Sequence, residues 1–74
     1  MDKLCKGDII SFSQAKMIDK RTKFVLITNP NPASQAQLVC LDDYKSNIYR
    51  KGDILTMTVI NCEGVNLIRR RHHQ

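Results

Sequence analysis

A chain of 74 residues is long enough for one domain only, close to the size below which a single core needs disulfides or a metal. With 42% hydrophobic and 26% charged residues it is composed like a globular protein, which excludes wholesale disorder. The net charge of +5 is gathered into two clusters, Lys16, Lys20, Arg21 and Lys23, then Arg69-Arg70-Arg71 before His72-His73, and such clusters suit a phosphate-rich partner.

The first predicted element opens at Lys6-Gly7-Asp8-Ile9-Ile10-Ser11-Phe12, a phrase that returns as Lys51-Gly52-Asp53-Ile54-Leu55-Thr56-Met57. Glycine tolerates positive φ and aspartate bonds its own neighbouring backbone, so each copy is a turn that leads into a strand. Apolar and hydroxyl residues then run from Gly7 to Met17 and predict a long, bent first strand. Ile18-Asp19-Lys20-Arg21-Thr22 is a polar tip, and Lys23-Phe24-Val25-Leu26-Ile27-Thr28 is the most strand-like run of the chain. Together they predict a β-hairpin with a basic tip.

Asn29-Pro30-Asn31-Pro32 is a surface loop, because proline lacks a donor and fixes φ. Gln37 to Leu41 predicts a third strand. Residues 42–50 lack alternation, and Asp42 or Asp43 could cap one helical turn there. Ile54 to Ile60 alternates Leu55, Met57 and Val59 with threonines, which predicts a half-buried fourth strand. After the turn Asn61-Cys62-Glu63-Gly64, residues 65–69 form a fifth. The domain is thus expected to span residues 1–69, with 70–74 a mobile basic tail.

Five short strands with a short helical turn between the third and fourth predict an all-β, OB-like barrel, with an SH3-like barrel as the nearest competitor. Cys5, Cys40 and Cys62 are odd in number and contain no C-x-x-C pair, which argues against a disulfide framework and a zinc site. No cofactor and no metal are expected, the adjacent histidines having no third ligand nearby. No apolar run approaches the roughly 18 residues that span a bilayer, and no signal-peptide core is present, so a cytoplasmic monomer with no membrane contact is expected.

Gly7-Asp8-Ile9, Asp19 leading to Phe24-Val25, Leu38-Val39-Cys40-Leu41, Gly52-Asp53 before alternating apolar residues, and Gly64 before a strand ending in Arg69 resemble the S1 and initiation-factor-one branch of OB-folds. The family usually has a glycine where Phe12 stands, another where Gln37 stands, and a histidine where Cys40 stands. The resemblance implies a small RNA-binding protein that carries out no catalysis. OB-folds hold single strands in a cationic groove with aromatic platforms. The matching candidates are Phe24 for stacking, Lys16, Lys20, Arg21 and Lys23 for phosphates, and Tyr49, Arg50 and Lys51 as a second flank. Arg69, Arg70 and Arg71 would add non-specific affinity. The expected partner is single-stranded RNA or DNA. A protein-interaction module docking on the ribosome or another assembly, as a translation-factor-like adaptor, substrate mimic or viral inhibitor, is the alternative. A small-barrel ribonuclease toxin, which also opens on a Gly-Asp-Ile strand, is a third.

Overall fold

A computed structural model describes residues 4–59 and 64–70. They form β1 (Ile9–Phe12), β2 (Phe24–Leu26), β3 (Gln35–Cys40), β4 (Ile54–Thr58) and β5 (Val65–Arg69). All pairings are antiparallel, and the five-stranded sheet runs β4-β3-β2-β1-β5. The chain therefore meanders through four neighbouring strands and then brings the last back beside the first. The sheet is not closed, and β4 and β5 are its two edges. None of the described residues forms a helix long and apolar enough to cross a membrane.

Alternation builds the core. In β3, Ala36, Leu38 and Cys40 point inward while Gln35 and Gln37 face solvent, the period of two that a pleated strand imposes. Register carries this face across the sheet: Leu38 sits opposite Leu26 and Leu55, and Phe24 opposite Ile10 and Cys40. Phe12, Val59 and Val65 complete the buried cluster. At its centre Phe24 is fully buried, edge-on to Phe12 with ring centroids 5.3 Å apart and to Tyr49 at 6.2 Å. Burial of one such ring stabilises the fold by about 1.5–3 kcal/mol.

The repeated phrase produces the same turn twice. Asp8 N–H donates to the Cys5 carbonyl at 3.0 Å, and Asp53 N–H to the Arg50 carbonyl at 2.9 Å. Gly7 and Gly52 take φ of 96° and 93°, as the third residue of a type II turn requires. Each aspartate then reaches back: Asp8 Oδ2 accepts Cys5 N–H at 2.9 Å, and Asp53 Oδ2 accepts Arg50 N–H at 2.8 Å. Each glycine N–H also donates to a carbonyl of a neighbouring strand, that of Leu26 in β2 and of Cys40 in β3 respectively.

Several expected boundaries move. β1 ends at Phe12 rather than Met17: Ser13 N–H still bonds the Gly64 carbonyl beside β5, and by Met17 the backbone has left the extended region, with a φ of 66°. Residues 13–23 are therefore a loop, with its half-buried Ala15 and Ile18 packed on the core. The helical turn expected after β3 does not form. Asp42 instead accepts Lys23 N–H at 2.8 Å and Asp43 pairs with Arg50, so neither caps a helix. One turn, closed by Asn47 N–H on the Tyr44 carbonyl at 3.0 Å, is what remains. The tail at 71–74 lies outside the described residues.

Candidate nucleic-acid interface

The β1–β2 loop docks onto the β3–β4 connection, residues 41–53, and Asp19 is the anchor. Its side chain is 9% exposed. Oδ1 accepts Arg21 N–H at 2.8 Å and Arg21 Nε–H at 3.0 Å, an aspartate bonding the backbone two residues on. Oδ2 accepts Arg21 Nη2–H at 2.8 Å and the Ser46 hydroxyl from the other segment. These bonds, those from the Arg21 side chain foremost, hold the Asp19 carboxyl well below the usual carboxylate range. The same pairing raises Arg21 above its ordinary value.

Further contacts complete the docking. The Arg21 guanidinium carbon lies over the Tyr44 ring, 4.2 Å from its centroid. Ile48 N–H donates to the Met17 carbonyl at 3.0 Å, and both side chains remain exposed. Beneath the junction Thr22 and Asn47 are buried, and Asn47 Nδ2 approaches Cys40 Sγ at 3.8 Å.

This docking brings Lys16, Lys20, Arg21 and Lys23 to the same end of the sheet as Arg50 and Lys51, all of them exposed. They are not equivalent. Arg21 is committed to Asp19, Lys23 stands 3.8 Å from Asp42, and Arg50 stands 3.1 Å from Asp43. Lys16, Lys20 and Lys51 make no ion pair among the described residues, and neither does Lys45, which joins them on the same connection. Asp8 and Asp53 are engaged in their own turns. Positive charge thus outlasts the carboxylates available to neutralise it here.

Phe24 requires a correction. A ring with no exposed surface, set between Phe12 and Tyr49, offers no face to a base; it belongs to the core. Tyr49 is half-buried with its ring against Phe24, so its outer edge alone borders the basic end. Arg69 lies opposite Ile9, at the start of β1, whereas the basic loop follows Phe12 at the other end of that strand. Arg69 and Arg70 are therefore separate from the loop cluster, and Arg71 lies outside the described residues.

Tyr44 and Ser46 hold this junction although pattern alone does not pair them with the loop. They meet the loop across a long stretch of chain, and the available signal was the polar tip around Asp19, which needs a partner to be ordered. A cleft of about 640 Å³ lies elsewhere, lined by Leu4, Cys5, Pro30, Pro32, Ser34 and Val59 among others, with neither a cation nor an aromatic ring among the described residues of its wall. The described residues contain no group of histidine, cysteine and carboxylate side chains placed to hold a metal. No family model, no curated protein and no solved structure matches the chain.

Proposed function

We propose that the protein binds single-stranded nucleic acid at the basic end of the sheet, without catalysis. One observation carries this reading: the docked loops present Lys16, Lys20, Lys45 and Lys51 with no carboxylate partner among the described residues, beside the partly committed Arg21, Lys23 and Arg50. The strand order, with β4 beside β3 and β5 beside β1, favours an SH3-like barrel over the Greek-key OB arrangement.

Affinity at such a site is mostly counterion release. If four lysines neutralise phosphates, log K falls against log salt with a slope of about −3 for a single strand, close to a fifty-fold loss between about 50 and 200 mM salt. Fluorescence anisotropy with a single-stranded RNA of about 20 nucleotides reads that slope directly. Reversing Lys16, Lys20 and Lys45 to glutamate is expected to abolish most of the binding, and removing residues 70–74 to weaken it only slightly. Absence of binding at low salt refutes the reading. Equal losses from the two variants would assign the affinity to the tail.

A second reading has its own support. β5 is an open edge whose Leu67 and Ile68 are 42% and 50% exposed, a surface on which a protein partner could add a strand. Amide NMR titration separates the two: nucleic acid moves residues 16–23 and 44–51, whereas a protein partner on the edge moves residues 65–69. The same RNA recovered intact after incubation distinguishes binding from a ribonuclease activity.

A further inference from the structure

We infer that the outward face of the Arg21 guanidinium is a base-stacking platform of this interface, beyond any phosphate contact its remaining donors make; the inference rests on the nucleic-acid reading above. Arginine usually meets phosphate with its donor fork. Here the side-on pair of donors is already engaged, because Nε and Nη2 donate to the two oxygens of Asp19 at 3.0 and 2.8 Å, which leaves Nη1 and one Nη2 hydrogen as the donors still open to phosphate. Its flat faces are in a different situation. The guanidinium carbon rests over the Tyr44 ring, 4.2 Å from its centroid, yet the side chain as a whole is still 62% exposed, which leaves guanidinium surface open to solvent.

Arg21 is also pre-organised. Asp19 fixes the guanidinium from its edge and Tyr44 supports it from below, while the Ser46 hydroxyl fixes Asp19 in turn. A plane held on two sides loses little freedom when a base settles on it, and guanidinium planes are accepted stacking surfaces for unpaired bases. The rest of the surface supplies no equivalent among the described residues: Phe12 and Phe24 are buried, and Tyr44 and Tyr49 are half-buried against Arg21 and Phe24. Lys20 beside it and Lys45 across the junction, both exposed, are placed to take the flanking phosphates. The ligand class is a nucleotide strand with exposed bases, read without sequence preference beyond stacking strength, so purines bind better than pyrimidines.

Arg21→Lys tests this, since lysine keeps the charge and loses the plane. Two probes are titrated by anisotropy or by competition: a short single-stranded oligoadenylate, and inorganic polyphosphate of matching charge, which has no bases. The expected result is about a tenfold loss of affinity for the oligoadenylate with polyphosphate binding changed by less than about twofold. An equal effect on both probes, or none on either, overturns the platform while leaving the nucleic-acid reading in place. Wild-type protein that binds neither probe overturns the reading itself and the platform with it. A second measurement needs no variant: in the wild-type protein, ring current from a stacked adenine shifts the Arg21 δ-methylene protons upfield. If those protons stay in place while neighbouring lysine resonances move, the base does not sit on Arg21.

Discussion

The two Lys-Gly-Asp turns share a backbone and differ in where they place their carboxylates. Asp8 is fully buried, whereas Asp53 is exposed, although each accepts the amide three residues before it. The first turn leads into β1, which has neighbours on both sides; the second leads into β4, an edge. Local chemistry therefore dictates the turn, and the sheet decides what that turn contributes. At the edge the carboxylate competes with water for the same amide. Inside, water has no access and the bond becomes an obligation of the fold.

Breaking the comparison is straightforward. Asp8→Ala removes a fully buried carboxylate together with its part-buried bond to Cys5 N–H, and is expected to destabilise the protein by about 2–3 kcal/mol, measured by urea unfolding. Gly52→Ala comes next, at about 1–2 kcal/mol, because a side chain must then adopt positive φ. Since a Cβ at Gly52 meets nothing within 4 Å, the whole cost is conformational, and Gly52→Asn is expected to recover part of it. Asp53→Ala should cost only about 0.5–1 kcal/mol, as water replaces the lost acceptor. If Asp53→Ala proves as damaging as Asp8→Ala, burial is not what distinguishes the turns.

Asp19 sharpens the comparison from a third position, with a smaller effect that is seen through pH. Its carboxyl is held below the ordinary value of 3.8 in the folded chain, so folding favours the ionised form. The resulting stability is fully present above about pH 4 and is lost as the pH falls below that value toward the folded one. Unfolding curves of wild type and Asp19→Asn between neutral and acid pH should converge as the pH drops. Parallel curves would mean that the bonds to Arg21 and Ser46 add nothing to folding.

Much of the sheet was readable from residue order. β5 was placed at 65–69, β4 at its observed start, and the proline loop where proline forbids pairing, because these signals are local. The run from Ala15 to Met17 reads as strand and is loop, for a physical reason. Ala15 packs a loop against the sheet while Met17 stays exposed, and period alone does not separate loop packing from a ladder. Asp42 and Asp43 looked like helix caps, but their partners Lys23 and Arg50 are set by tertiary contacts. The basic hairpin tip was legible as charge. Which cations are neutralised, and that Phe24 faces inward, depended on register and on a loop meeting a distant segment.

The return of β5 to β1 has a consequence for how the chain acquires its structure. Ile9 to Phe12 all pair with residues 65–69, so the earliest-made strand of this sheet is completed by its latest. The β2-β3-β4 meander is able to assemble from near neighbours while synthesis continues. β1, with Ile10 and Phe12 in the core, keeps one edge open until Arg69 has emerged. During that interval the nascent chain exposes an apolar strand with an unpaired side, and a chaperone that holds extended segments would find its natural client there.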